Sequence, residues 1–102
     1  MMHVIGSRID EIRTLCRSHK VISIAVFGSA ARDMMNEESD VDVLVEFSPD
    51  LKLLDYADNY FSFRENLEEI LGRKVDILNK RSLKNPILKQ EIERSKIDLY
   101  AA

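Results

Sequence analysis

Apolar positions recur at near-helical spacing from Ile9 through Ile12, Leu15, Cys16 and His19, while Asp10, Glu11, Arg13 and Arg17 take the other side. With Ser7 as a cap, this pattern predicts a helix from Ser7 through Lys20. The next seven residues, Val21 to Phe27, are almost continuously apolar and stop at Gly28-Ser29, as a strand covered on both faces would. A short helix is expected to start at Ser29 and run over Ala30 to Met34, and the polar run Asn36-Glu37-Glu38-Ser39 reads as an exposed loop. From Val41 to Phe47 the period changes to two. Val41, Val43, Val45 and Phe47 share one face, and Asp40, Asp42, Leu44 and Glu46 the other. Ser48-Pro49-Asp50 ends that strand, and Leu51 to Leu71 reads as a long helix, broken near Asn59 and closed by Gly72. Val75 to Leu78 is a short third strand. Pro86 opens a last helix that carries Ile87, Leu88, Ile92, Ile97 and Leu99. The expected order is α-β-α-β-α-β-α.

A chain of 102 residues suits one domain over 1–102, since two cores would each be too small to hold. Hydrophobic residues at 45% and charged residues at 32% exclude a disordered or low-complexity chain. The net charge of -3 gives no global attraction to nucleic acid or anionic membranes. No apolar run approaches the roughly 20 residues of a membrane helix, and no export signal is visible. Cys16, the one cysteine, permits neither an internal disulfide nor a thiolate cage, so a reducing cytoplasm is the expected location. Its place on the apolar side of the first helix makes it a core residue rather than a nucleophile.

The chemistry concentrates at Asp40 and Asp42. At positions i and i+2 of a strand their side chains leave one face about 7 Å apart, near enough to converge on one cation. Mutual repulsion raises the pKa of neighbouring carboxylates, and a divalent ion reverses that penalty. Hard oxygen donors in so sparse a set point to Mg²⁺, with substrate phosphates completing its coordination. Asp76 faces away from Val75 and Ile77, and it joins the pair if its strand lies beside that of Asp42. Three carboxylates suit two metal ions and nucleotidyl transfer. Gly28-Ser29, between a strand and a helix start, offers backbone amides to a triphosphate, and Arg32 lies one turn further on. Arg32 serves equally well as a surface ion-pair partner. Glu46 shares the acidic face but lies too far along it to be a ligand. Tyr56, Tyr60, Phe61 and Phe63 read chiefly as core.

Gly28-Ser29, ten residues and then Asp40-Val41-Asp42, continued by Val43-Leu44-Val45-Glu46-Phe47 and later by Gly72-Arg73-Lys74-Val75-Asp76-Ile77-Leu78, resembles the signature of the minimal nucleotidyltransferases of the DNA polymerase β superfamily. The resemblance spans about Val21 to Tyr100. It implies an α/β (α+β) fold, a polymerase β-like palm with a small mixed β-sheet flanked by helices. It also implies Mg²⁺, two ions, on Asp40, Asp42 and Asp76, and ATP phosphates at Gly28 and Ser29. The family's usual partner is a HEPN-domain toxin, held in a hetero-oligomer and in some pairs modified by AMP on a tyrosine. Ala30 and Asp33 depart from the family pattern, which leaves an antitoxin acting by binding alone, or transfer to a small molecule or RNA end, as the alternatives.

Overall fold

The computed structural model describes residues 2–32 and 40–102. Asp33, the polar run Asn36 to Ser39 and the end of the short helix expected up to Met34 lie outside the described residues. The elements are α1 (Met2–Ser7), α2 (Ile9–Ser18), β1 (Val21–Phe27), α3 (Gly28–Ala31), β2 (Val41–Phe47), α4 (Leu53–Leu71), β3 (Val75–Asn79), a 3-10 turn (Lys80–Ser82), α5 (Pro86–Ser95) and β4 (Ile97–Ala101). The strands form one mixed sheet in the order β3-β2-β1-β4. β2 runs antiparallel to β1 and parallel to β3, and β4 is antiparallel to β1. The parallel pair requires a crossover, and α4 supplies it.

The period-two face of β2 is the main core. Val41, Val43, Val45 and Phe47 are buried together with Ile24 and Val26 of β1, under Ile12 and Cys16 of α2 and Phe63, Leu67 and Leu71 of α4. Phe47 sits edge-on to Tyr56 and Phe63, with ring centroids 5.4 and 6.1 Å away. Burial pushes the Cys16 thiol up to about 12, against a weaker downward pull from Arg17. It is a core residue, as its helical position predicts. Ala25, Leu44 and Ile92 are buried apart from that cluster, and α5 touches α3. No described helix is long and apolar enough to cross a membrane.

Four expectations change. The first helix begins at Met2, and Ser7 caps nothing: its hydroxyl donates back to the Val4 carbonyl at 2.8 Å, and α2 starts after Arg8 without a side-chain cap. It also stops at Ser18, because Lys20 takes a left-handed φ of 56° to turn the chain into β1. The long helix starts at Leu53 and runs unbroken through Asn59, whose amide reaches out to donate to the His19 carbonyl at 2.7 Å. The last helix ends at Ser95. Ile97 and Leu99 belong instead to β4, which gains ladder hydrogen bonds along β1, a non-local reward that helical spacing cannot register.

Pro86 does open α5, with Asn85 as its cap: the Asn85 side-chain oxygen accepts from the amides of Ile87 and Leu88 at 3.0 and 3.3 Å. Asn85→Ala is expected to cost about 1 kcal/mol, read as a lower urea midpoint with an unchanged slope.

Candidate functional site

The parallel register pairs Asp42 of β2 directly with Asp76 of β3 and, across the antiparallel ladder, Asp42 with Phe27 of β1. Residues paired in register project to the same face of a sheet. Asp76 therefore stands beside Asp42 on the face opposite the main core. Asp40 immediately precedes β2, two residues back on the same side, and is exposed, as is Asp76. Asp42 is half-buried. Its carboxyl is held above the ordinary value by burial first, then by the charge of Asp76 and then by that of Asp40. The three acids thus meet at one end of the sheet, the end where β1 finishes and β2 and β3 begin.

Gly28 closes the other side of this mouth. Its φ of +67° lies in the left-handed region, and a Cβ built there would sit 2.7 Å from Asp42 Oδ2. Only glycine lets the turn after β1 come so close to that carboxylate. Ser29 follows in the first turn of α3, half-buried, where backbone amides lack helical partners. Ala30 is fully buried in the main core, so a small side chain there is a packing requirement. Arg32 is exposed, and its Nε donates back to the Gly28 carbonyl at 3.4 Å, a long contact that bends the guanidinium toward the turn. Glu46 stays out of the mouth and pairs with Arg81 at 3.7 Å.

Glu68 gave no signal in the sequence beyond a polar helix position, yet it fixes Asp76. Its backbone carbonyl accepts from Gly72 N–H and its Oε2 accepts from Val75 N–H, both at 2.8 Å. The Lys74 carbonyl in turn accepts from Val41 N–H at 2.9 Å. These bonds lock the start of β3 to α4 and to β2. A cleft of about 480 Å³ opens here, lined by Asp40, Arg64, Glu68, Lys74, Val75 and Asp76. A larger cleft, about 660 Å³, lies between α2 and α4 around Thr14, Leu15, Asn66 and Ile70 and contains none of the predicted site residues. The chemistry favours the smaller one.

Among the described residues no three carboxylate, imidazole or thiolate side chains form a ready cage for an ion. The set is open, and its donors are carboxylate oxygens that repel one another. That repulsion at Asp42, together with the hardness of the donors, fits a divalent cation such as Mg²⁺ that retains room for phosphate oxygens.

The sequence profile of the nucleotidyltransferase domain matches residues 9–99. This chain belongs to that family. MJ1379 of Methanocaldococcus jannaschii, provisionally named a protein adenylyltransferase, is 42% identical over 87% of this chain and 95% of its own length. The protein adenylyltransferase MntA of Thermococcus cleftensis is 38% identical over 79% of this chain and 86% of its own. A solved minimal nucleotidyltransferase superposes with a TM-score of 0.75 at 36% identity, covering 93% of this chain and 92% of that one. The MNT antitoxin fold recurs in a complex with the tri-AMPylated HEPN toxin of Shewanella oneidensis, with a TM-score of 0.63 at 21% identity over 95% of this chain and 72% of that one. At that identity the likeness is one of fold. This nucleotidyltransferase therefore has the mixed-sheet fold that its resemblance to the minimal nucleotidyltransferases implies.

Proposed function

We propose that this nucleotidyltransferase transfers AMP from ATP to a tyrosine hydroxyl of a HEPN-domain partner and thereby acts as the antitoxin of a toxin-antitoxin pair. The observation that carries the reaction is the register pairing of Asp42 with Asp76 beside a left-handed glycine turn whose Cβ position lies 2.7 Å from the Asp42 carboxylate. The relatives named as protein adenylyltransferases and the fold shared with an antitoxin bound to its AMPylated toxin support the acceptor class.

Asp40, Asp42 and Asp76 would hold Mg²⁺, two ions when the nucleotide is bound, and so supply charge neutralisation at the reacting phosphate and a lowered pKa for the acceptor hydroxyl. The chain's own part is placement. The amides that begin α3, after Gly28, receive the phosphates, and the left-handed turn holds them against Asp42. Arg32, already drawn back over Gly28, adds a guanidinium to the phosphate side. Glu68 keeps Asp76 at the acceptor side by fixing the turn before it. The hydroxyl's oxygen forms the new bond to the α-phosphorus, its proton leaves toward the Asp76 side, and the bond to pyrophosphate breaks. Positioning and preorganised charge carry the rate. A partner protein must supply the rest of the acceptor surface, so a hetero-oligomer with it is the working form.

The test is mass spectrometry of the HEPN partner after incubation with this chain, ATP and Mg²⁺. Growth of the partner by adenylyl groups on tyrosine is expected, together with its loss on chelation. An unmodified partner that is nonetheless neutralised by an Asp40→Asn/Asp42→Asn variant would establish action by binding alone.

A further inference from the structure

β3 lies at one edge of the sheet, and its outer side is open. The parallel ladder fixes which groups face outward. Because Val41 N–H donates to the Lys74 carbonyl, the main-chain groups of Asp76 and Leu78 turn toward β2, and those of Val75, Ile77 and Asn79 turn away from the sheet. Glu68 takes the Val75 N–H at 2.8 Å. Among the described residues nothing bonds the Val75 carbonyl, the Ile77 amide and carbonyl, or the Asn79 amide. Side chains do not seal the strand either, since Asp76 is exposed and Ile77, Leu78 and Asn79 are half-buried. Unpaired edge groups of this kind are a template for another strand.

The opposite edge, β4, is blunted. Its register against β1 slips by one residue at Leu99, and the Leu99 carbonyl accepts from Arg13 Nε at 3.2 Å. Lys96 and Asp98 pair at 2.7 Å where that strand begins. The contrast singles out β3, the strand that carries Asp76.

The free groups also choose a direction. A parallel neighbour engages a carbonyl and the amide two residues further on. The Val75 carbonyl with the Ile77 amide, and the Ile77 carbonyl with the Asn79 amide, are two such sets. An antiparallel neighbour bonded at Val75 would need the amide that Glu68 holds. In the parallel arrangement the added residue that bonds Val75 and Ile77 stands in register with Asp76, about 4.8 Å away, and its side chain shares the face of Asp76 and Asp42. Displacement at phosphorus is in line, with the attacking oxygen opposite the leaving group. With β2 between β1 and β3, and pyrophosphate leaving at the Gly28 turn that ends β1, the attacking oxygen comes from the β3 side.

We propose that the acceptor polypeptide docks as an extended segment, pairing in parallel with the outer edge of β3 as a fifth strand and carrying its reacting hydroxyl on the residue beside Asp76. The inference rests on the transferase reading above and adds how the acceptor is held. Recognition through the main chain fixes the position of the hydroxyl and leaves the flanking sequence largely free. Ile77 is an acceptor-positioning residue, acting through its backbone.

The test uses the full chain, isotopically labelled, with Mg²⁺ and a non-hydrolysable ATP analogue, alone and in complex with the HEPN-domain partner. Amide hydrogen exchange is read residue by residue by NMR. The Ile77 amide is expected to exchange about tenfold or more slowly in the complex, while the Val75 amide, already bonded to Glu68, changes little. Ile77→Pro removes the outward donor without breaking a bond to β2. It should lower kcat/KM for adenylyl transfer to the partner about tenfold or more and leave the affinity for the ATP analogue unchanged, with Ile77→Val behaving as the wild type. Should the proline variant fold poorly, the exchange measurement on the wild type still decides. An Ile77 amide that exchanges equally fast with and without the partner would overturn the proposal. So would protection that appears in the chain alone as its concentration rises, which would give the edge to a second copy. A partner that protects Ile77 but is never modified with ATP sinks the transferase reading, and a partner modified without that protection sinks this one.

Discussion

Asp42→Asn is expected to lower adenylyl transfer by about a thousandfold or more while raising the melting temperature of the nucleotide-free protein at neutral pH. Both effects come from one carboxylate. Burial, Asp76 and Asp40, in that order, raise its pKa in the folded protein. A folded state that holds a proton more tightly than the unfolded chain loses stability as that proton leaves. The contribution is fully present below the unfolded value of 3.8 and is lost as pH rises through the higher folded value. Asparagine keeps the shape without the charge, so the variant's advantage should be absent in acid and grow as pH climbs through the carboxylate range. Mg²⁺ should stabilise the wild type more than the variant, because binding to the native state alone adds to stability. Differential scanning fluorimetry across pH, alongside transfer assays, checks the pair. A variant that melts lower at neutral pH would contradict this account of the site.

Gly28→Ala is expected to damage both stability and transfer, and Gly72→Ala separates the two causes. Both glycines adopt left-handed φ, +67° and +68°, so alanine at either costs about 1 kcal/mol in backbone strain, or roughly 4–8 °C in a domain of this size. At Gly72, which caps α4, nothing lies within 4 Å of the added methyl, and that strain is the whole cost. At Gly28 the methyl would also stand 2.7 Å from Asp42 Oδ2, so the carboxylate must swing away or the turn must retreat. Transfer should fall about a hundredfold, the loss that about 1 Å of misplacement of reacting groups can cause, while Gly72→Ala keeps its turnover. Equal turnover in the two variants would mean that the close approach of Gly28 to Asp42 has no functional weight.

The elements set by local periodicity were legible in the sequence. β1 and β2 occupy the spans that their apolar run and their alternation predict, and β3 extends one residue further, to Asn79. The adjacency of Asp42 and Asp76 was legible only as a condition, since the strand spacing says which face each acid takes and not which strands are neighbours; the β2–β3 ladder decides that. β4 was not legible. Its five residues follow a helix whose apolar positions they roughly continue, and only pairing with β1, some seventy residues earlier in the chain, distinguishes strand from helix. The role of Glu68 was equally hidden, since a polar position on a helix gives no sign that its carboxylate accepts from an amide of β3.

Cys16 carries a practical corollary. It is the one sulfhydryl of the chain, it is inaccessible in the native packing between α2 and the sheet, and its proton is held to about 12. An alkylating reagent at ordinary pH can therefore reach sulfur only when that packing opens, and the rate of labelling becomes a clock for core opening. The chain carries its own probe for following how nucleotide or partner slows that breathing, with no label to introduce.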